Sequence, residues 1–315
     1  MKPTVSLLQA TNYELEALAI ALEQLLEPLG GMASIIKSGD RVLLKPNLLT
    51  GSRPTKECTT RPEIIYCVAK MVIAAGGKPF LGDSPAFGTA KGVAKANGLL
   101  AIAEELNIPI VEFHGQRYQT NGDLKHLRLS KEAMGADVVI NLPKVKSHVQ
   151  LTVTMGVKNL FGCVPGKMKA WWHMEAGKDV DKFARMLVET AEAIAPALTI
   201  IDGIIGHEGN GPGQGEPRYL GMLGASTDVF ALDRVVIEVL GVNPDLVPTI
   251  KIGKYKSLEE IAIAGASIPE LQIHNWQLPT QMIPIDFGFP RILKSTFKHL
   301  YIKFIKEPMA IYAKS

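Results

Sequence analysis

Short apolar runs alternate along this chain with longer stretches of helical period. Runs rich in Val, Ile and Leu, typical of buried strands, recur at residues 41–47, 78–85, 108–113, 136–148, 197–206 and 219–226. Helical patterns lie at 59–77, 178–195 and 227–241 and in two short segments before residue 106, and the polar stretch 114–130 predicts a hairpin. This alternation predicts an α/β fold with a mostly parallel, doubly wound sheet and flanking helices. The alternatives are a single body and two intimate lobes with a cleft between them.

The first 26 residues combine an apolar pattern with Glu14, Glu16 and Glu23. Charges at these positions are incompatible with a signal-peptide core and with a membrane-spanning helix. We therefore expect an amphipathic helix here, with Asn12 as its candidate cap.

The periodic pattern weakens beyond residue 245. It predicts a core of residues 1–245 and a C-terminal extension of residues 246–315 that packs on it. The extension ends in FKHLYIKFIKEPMAIYAKS, where aromatic residues are mixed with Lys298, Lys303 and Lys306. We expect a surface helix and a tail at this end, with contact to a membrane surface as the alternative.

Composition narrows the class of protein. The 315 residues contain 34 Lys and Arg against 31 Asp and Glu, a formal net charge of +3. Such a chain lacks the strongly basic domain of a nucleic-acid-binding protein. Three cysteines cannot form a disulfide framework, so we expect a reducing, cytoplasmic location. Three thiolates also cannot hold an all-cysteine [4Fe–4S] cluster, which leaves no iron–sulfur cluster within this chain.

Polar residues follow four of the predicted strands. The carboxyl ends of parallel strands meet at one edge of a sheet, and ligands bind there in open α/β folds. The residues at these ends are Lys45 and Asn47, Asp83 and Ser84, Lys144, Lys146 and His148, and Asp202 and Glu208. We expect them to converge on one cleft.

The segment LPKVKSHVQLTVTMGVKNLFGCVPGKMKAWWH carries the candidate catalytic residues. Lys158 stands among apolar residues that predict burial, and a buried lysine is costly unless it is paired or used. A lysine whose pKa is lowered becomes a nucleophile or an anion-binding group. We expect Lys158 to be the anchor, His148 the general acid or base, and His173 a second base or a metal ligand. Lys167 and Lys169 are expected to be solvated surface charges.

Two further sets of residues complete the predicted site. A small anion, either a carboxylate or a phosphate, is expected to bind to Lys45, Asn47, Arg61, Ser84, Lys144 and Lys146. A metal ion, the alternative to a lysine-anchored cofactor, is expected at His173, Asp83, Asp202 and Glu208. Thr60 is the candidate cap of the helix that begins beside Arg61. The glycine-rich loop 206–218 is either an anion cradle or a flexible surface loop.

Several sequence blocks resemble a known family, domain of unknown function 362. They run in order from about residue 38 to residue 241 and read VLLKPN, TTRPE, GDSPAFGTA, ADVVINLPKVKSH, MGVKNLFGCVPG and EGNGPGQGEPRYLGMLGASTDVFALD. Many members of that family also carry a ferredoxin-like domain with [4Fe–4S] clusters. This chain has no CxxCxxC block, so its end at Ser315 is either natural or a cut before such a module.

A weaker resemblance connects the chain with the nickel-pincer lactate racemase family. The TRP sequence at 60–62 matches an element that opens a helix in that family. His148, Lys158 and the PG sequence at 165–166 match, in order and spacing, a block that supplies a catalytic histidine and the lysine that holds the cofactor. His173 falls near the metal-binding histidine. GDSPAFG stands where that family has a GTHR-type block, so the resemblance implies a shared fold and pocket without shared chemistry.

Two classes of function follow from these observations. The leading hypothesis is an enzyme that binds a small anionic substrate or cofactor at a lysine- and histidine-lined cleft, with acid–base chemistry of a racemase-like, metal-assisted kind. The rival is a non-catalytic accessory protein that binds a partner or takes part in electron transfer, and that docks an iron–sulfur module or redox partner. A third hypothesis is a metal-independent enzyme that binds phosphate. The sequence leaves the oligomeric state open.

Overall fold

The structure is a computed structural model that describes residues 1–120, 122–166, 168–286 and 301–302. Lys167, which was predicted to be a solvated surface charge, lies outside these residues. So does most of the predicted C-terminal helix and tail. No helix among the described residues is both long enough and apolar enough to cross a membrane.

One mixed sheet organises the described residues. Its strands, together with the separate β5–β6 hairpin, are β1 (Thr4–Gln9), β2 (Arg41–Pro46), β3 (Lys78–Gly82), β4 (Ile110–Val111), β5 (Gly115–Gln119), β6 (His126–Ser130), β7 (Val138–Leu142), β8 (Lys144–His148), β9 (Thr152–Thr154), β10 (Leu198–Glu208), β11 (Glu216–Ser226) and β12 (Ala262–Gly265). The order across the sheet is β12-β1-β11-β10-β7-β2-β3-β4, with β8 beside β10 and β9 beside β8.

Most strand pairs in this sheet are parallel, which confirms the predicted fold class. The pairs β2–β3, β2–β7, β3–β4, β7–β10, β8–β10 and β1–β12 are parallel. The antiparallel pairs are β1–β11, β10–β11 and β8–β9. A short loop joins β10 to β11, and a connection that short can only produce an antiparallel hairpin.

Helices cover both faces of the sheet. They are α1 (Leu15–Leu26), α2 (Pro62–Ala74), α3 (Ala90–Ala96), α4 (Leu99–Glu105), α5 (Lys131–Met134), α6 (Gly156–Asn159), α7 (Met168–Ala176), α8 (Val180–Ile194), α9 (Val229–Val239), α10 (Pro248–Ile252) and α11 (Ile268–Leu271). Leu44 of β2 joins the core beneath α1 to α4, whereas its neighbour Leu43 packs with Phe183 of α8. Alternate residues of one strand thus supply two cores, as the pleat requires.

Three local predictions are wrong, each for a physical reason. Residues 4–9 form β1, because their alternating side chains complete the sheet between β11 and β12, and the helix begins only at Leu15. Pro143 divides the long predicted strand 136–148 into β7 and β8. The Thr60 hydroxyl does not cap α2; it accepts from Asn47 N at 2.8 Å and donates to Leu142 O at 2.6 Å.

A buried carboxylate fixes the start of α6, the short helix that carries Lys158. Asp233 of α9 accepts hydrogen bonds from Gly156 N at 2.8 Å and Val157 N at 2.9 Å. A Cβ atom at Gly156 would lie only 2.9 Å from Asp233 Oδ1, so the glycine permits this close approach. Burial raises the pKa of Asp233 to about 7, although the two N–H donors favour its ionised form.

We expect Asp233 to make folding stability depend on pH. Its pKa is higher in the folded chain than in the unfolded one, so the stability it contributes is present at low pH. That contribution is lost as pH rises from about 4 to about 7, by at most about 1.4 kcal/mol per pH unit. Denaturant unfolding of the wild type and of Asp233→Asn across this range measures it. As pH rises, the free energy of unfolding of Asp233→Asn should increase relative to that of the wild type. A difference between the two that stays constant with pH would contradict the prediction.

Candidate functional site

Strand register brings the predicted polar residues to one edge of the sheet. Lys45 lies opposite Asn141, and Asn141 lies opposite Thr199, so β2, β7 and β10 reach this edge together. After the break at Pro143, β8 continues beside β10 and places Lys144 opposite Asp202. Two separate polar groups result, one neutralised by carboxylates and one rich in lysine.

The first group, called here the ion-pair group, consists of Tyr13, Glu57, Arg61, Lys144 and Asp202. Lys144 Nζ lies 2.8 Å from Glu57 Oε2 and 3.1 Å from Asp202 Oδ2, and it has no exposed surface. Tyr13 donates to Asp202 at 2.7 Å, and its pKa is raised by burial and by the nearby carboxylates. The Arg61 guanidinium lies 2.9 Å from Glu57 Oε1 and stacks on the Tyr13 ring at 4.5 Å.

Two predicted anion-binding residues are therefore already neutralised. Lys144 faces two carboxylates, and Arg61 pairs with both Glu57 and Glu63. Their geometry is that of a buried structural network, which holds together segments distant in the sequence. Tyr13 and Glu57 were not predictable from the sequence, because a single tyrosine and a single glutamate carry no spacing signal.

The second group, called here the lysine group, consists of Lys45, Lys146, Lys158 and Lys169. A chain of amides connects the first two of these lysines. Lys146 Nζ donates to Asn47 Oδ1 at 2.8 Å, and Asn47 Nδ2 donates to Asn159 Oδ1 at 2.9 Å. Lys45 Nζ approaches the same Asn159 oxygen at 3.4 Å. The ends of β2 and β8 are thereby linked to α6.

Asp83 is the carboxylate that lies inside the lysine group. Its Oδ1 makes an ion pair with Lys45 Nζ at 2.9 Å, and both its oxygens accept backbone N–H groups, from Leu48 and Ser84. Gly162 packs directly against this pair. A Cβ atom at that position would overlap Asp83 Oδ1 and lie 2.5 Å from Lys45 Nζ, so the glycine is a steric requirement of the ion pair.

Lys158 has no carboxylate within ion-pair distance among the described residues. Its side chain is partly exposed, and its ammonium stacks on the Phe161 ring at 4.3 Å. Burial, reinforced by repulsion from Lys169, Lys146 and Lys45, lowers the pKa of Lys158 to about 7. Near neutral pH this side chain therefore exists partly as a free amine.

Lys169 differs from its prediction as a solvated surface charge. Its ammonium donates to the backbone oxygen of Ser84, and burial lowers its pKa to about 8. The Ser84 hydroxyl in turn accepts from Gly166 N at 3.2 Å, which ties the start of α7 to the end of β3. Lys146 has a pKa of about 8 for the same reason, with added repulsion from Lys144 and Lys45. Partners formed by backbone carbonyls, as at Lys169, leave no trace in the sequence.

The two histidines beside the lysine group are held in different tautomers. His148 is buried, and its Nδ1 accepts from Gln150 N at 3.1 Å, so the neutral ring carries its proton on Nε2. Burial, with repulsion from Lys158 and Lys146, holds the pKa of His148 well below its ordinary value. His173 donates from Nδ1 to Ile285 O at 3.0 Å and packs on Phe183 with ring centroids 4.5 Å apart. His148 is thus a hydrogen-bond donor at neutral pH.

The four predicted metal-binding residues lie in different surroundings. Asp83 is paired with Lys45, Asp202 belongs to the ion-pair group, and Glu208 accepts from the backbone N–H of Gln277. His173 packs among aromatic rings. Within the described ranges, no three His, Cys, Asp or Glu side chains form a group that could hold a metal ion. The geometry therefore gives no support to a metal site built from these four residues.

The glycine-rich loop is held against β8. Ser147 Oγ donates to Gly209 O at 2.6 Å, and Val149 N donates to Gly211 O at 3.1 Å. The N–H groups of Gly209, Gly211 and Gly215 already have protein acceptors. This loop therefore supports the strand that carries Lys146 and His148. Because these three N–H groups already have acceptors, they are not free to bind an anion, which weakens the alternative of an anion cradle.

The fold and the two polar groups define an α/β protein with a cationic group at the carboxyl ends of its parallel strands. The chain belongs to a family described as domain of unknown function (DUF362), whose model matches residues 42–238. A thylakoid-associated protein of Synechocystis sp. is 61% identical over 317 residues, which cover 99% of each chain.

Among solved structures, the chain is similar to the lactate racemase apoprotein from Thermoanaerobacterium thermosaccharolyticum. The TM-score is 0.44 and the identity 15%, over 63% of this chain and 50% of that one, so the chain spans half the length of this neighbour. At this level of similarity neither a shared reaction nor a shared nickel site follows.

We expect the Lys158 amine to react unusually fast with an acylating reagent near neutral pH. At about pH 7, labelling of Lys158 should exceed that of Lys70 by at least about tenfold. Roughly half of the Lys158 side chains are neutral, against on the order of one in a thousand for a lysine of ordinary pKa, and the lower nucleophilicity of the weaker base offsets part of this advantage. Lys70 is the matched control, since it lies on α2 and stacks on the Tyr66 ring at 5.5 Å. Peptide mass spectrometry after trace labelling measures both rates. If the rate at Lys158 rises steadily to about pH 10 without levelling off, the lowered pKa is wrong.

Proposed function

We propose that this protein is an enzyme that binds a small anion, either a carboxylate or a phosphate, at the lysine group and uses Lys158 as its reacting amine. The observation that carries this proposal is the contrast between Lys158 and Lys144. Lys144 has two carboxylates within 3.1 Å, whereas Lys158 has only the Phe161 ring among the described residues.

The positive charge of the lysine group is poorly compensated by the protein itself. Bringing an ammonium into a low-polarity site beside other ammonium groups is unfavourable unless an anion accompanies it. Lys146 and Lys169 likewise have no carboxylate partner among the described residues, because their partners are the neutral oxygens of Asn47, Cys58 and Ser84. An anionic ligand would supply the missing charge and hydrogen-bond acceptors.

The chemistry follows from the protonation states. A free amine at Lys158 can remove a proton from a bound substrate and return it, or attack an electrophilic carbon. In its ammonium state Lys158 would bind the anionic part of the substrate together with Lys146 and Lys169, and in its amine state it would react. The Nε2–H of His148 would donate a further hydrogen bond to the anion. His148 is too rarely protonated to be the acid, so we assign proton transfer to Lys158.

The test is anion binding to the whole chain with Lys158 replaced by an uncharged side chain of similar length. We expect Lys158→Met to weaken the binding of inorganic phosphate and of acetate about tenfold, the loss of one charge-assisted hydrogen bond. Lys158→Arg should retain binding, because it keeps the charge. Isothermal titration gives the affinities, and thermal unfolding should show little change because Lys158 is partly exposed.

Lys70→Met is the control for charge and for aromatic stacking, and it should bind like the wild type. Unchanged binding in Lys158→Met would refute the proposed site. A large loss of stability without a loss of binding would show that Lys158 has a structural role instead.

We also infer a place of action, the cytoplasmic side of a membrane surface. The relative with 61% identity is described as thylakoid-associated, and no described helix crosses a membrane, so peripheral contact is the form of association that we propose. The C-terminal sequence with Lys298, Lys303 and Lys306 among aromatic residues has the composition of an interfacial segment.

We expect the full chain to sediment with vesicles that contain anionic lipid and to be released by salt. Each basic residue near such a surface contributes about 1 kcal/mol, so replacing Lys298, Lys303 and Lys306 together by Gln should weaken binding by several kcal/mol. Vesicles of neutral lipid are the control. Equal sedimentation of the triple variant and the wild type would exclude this segment as the contact.

A further inference from the structure

The two polar groups of this fold differ in how far the charges of their lysines are balanced by carboxylates. In the ion-pair group, Lys144 and Arg61 are matched by the carboxylates of Glu57 and Asp202 and by that of Glu63 beside the group. Two positive side chains thus face three negative ones. The fold can therefore place a carboxylate beside a buried lysine where the lysine is only structural.

The lysine group has far fewer negative charges. Within the part of the chain that the structure describes, its four lysines share one carboxylate, Asp83, which lies 2.9 Å from Lys45. The carboxylate oxygens of Asp83 are also occupied by the backbone N–H groups of Leu48 and Ser84. With all four lysines charged, the group carries three positive charges more than its own carboxylate can balance.

Three lysines of this group each have only uncharged partners among the described residues. Lys146 bonds to Asn47 Oδ1 and Cys58 O, Lys169 bonds to Ser84 O, and Lys158 stacks on an aromatic ring. Neutral acceptors hold an ammonium in place without cancelling its charge. These three ammonium groups are therefore positioned for an external anion of more than one charge.

Several other titratable side chains among the described residues face these lysines, and one of them, the Cys58 thiol, would favour a charged Lys146 if it were ionised. The histidines and the second thiol add no negative charge at neutral pH. From β8, His148 is neutral, and its repulsion by Lys158 and Lys146 has the sign expected of a cationic site. From the turn after α6, burial raises the pKa of the Cys163 thiol to about 12, so it is uncharged. From α7, His173 faces aromatic rings and the Ile285 carbonyl.

We propose that the anion bound at the lysine group is a multiply charged oxyanion of the phosphate-ester class and not a monocarboxylate. This proposal rests on the proposed function and sharpens it. A phosphate dianion offers several strong acceptor oxygens and two negative charges, which matches three separate ammonium donors better than a carboxylate does.

The proposal predicts a proton uptake that accompanies binding. The lowered pKa values of Lys146, Lys158 and Lys169 mean that part of the group is neutral in the free protein above about pH 7. A dianion stabilises the charged amines, so their pKa values rise on binding and protons are taken up. Affinity should accordingly fall as pH rises through about 7 to 8.

The experiment compares sulfate with acetate by isothermal titration of the full chain at constant ionic strength. Sulfate is the probe because its charge does not change across this pH range, whereas that of phosphate does. At about pH 7 sulfate should bind about tenfold more tightly than acetate, which corresponds to one additional charge-assisted contact. Titration in two buffers of different ionisation enthalpy should show proton uptake for sulfate at about pH 8.

Variants of single lysines distinguish a failure of the dianion preference from a failure of the proposed function. Lys169→Gln and Lys146→Gln should each reduce sulfate affinity more than acetate affinity, with Lys70→Gln as the control. Lys169 is partly exposed, so its variant keeps the test valid if Lys146→Gln fails to fold. If acetate binds as tightly as sulfate and this binding is lost in Lys158→Met, the ligand is not specifically a dianion, and the proposed function still holds. Binding of neither anion, or binding insensitive to Lys158, would overturn both.

Discussion

The Lys144 ammonium, enclosed between Glu57 and Asp202, is the interaction on which the arrangement of this edge depends. Its carboxylate partners lie 87 and 58 residues away along the chain, on the loop before α2 and on β10. Tyr13, which precedes α1, closes the network through Asp202. Removing one partner from such a pair costs about 3–5 kcal/mol, because the other charge is left buried. The network therefore fixes β8 against β10 and determines where Lys146 points.

Lys144 and Lys146 show that one strand can carry both a lysine paired with carboxylates and a lysine with uncharged partners. They are two residues apart on β8 and are both buried, yet among the residues that the structure describes only Lys144 has carboxylate partners. Lys146 is held by Asn47, an uncharged side chain that also contacts Asn159. The amide network orients positive charge without cancelling it. Rigidity next to the site thus comes from one set of residues and electrostatic potential from another.

Much of the fold was predictable because its central strands are continuous apolar runs, as for residues 41–47 and 197–206. β1 was not predictable, because its alternation is short and its partners β11 and β12 follow more than 200 residues later. At the site, the position of Lys146 after a predicted strand and the apolar neighbours of Lys158 predicted a cationic group that also included Lys144. Sequence could not separate Lys144 from them, since its neutralisation depends on distant carboxylates. Lys169 was missed because its partner is a backbone oxygen.

The contact of Gly162 with Asp83 and Lys45 has a consequence for how such a site can diverge during evolution. A side chain at position 162 would displace the carboxylate from the lysine, so this position is closed to change while the pair is kept. Ser84 and Lys169 are partly exposed and border the same group, so they have room for other side chains. Among descendants of this fold, substitutions are therefore expected at these bordering positions, while the Gly162–Asp83–Lys45 unit is retained as long as its ion pair is.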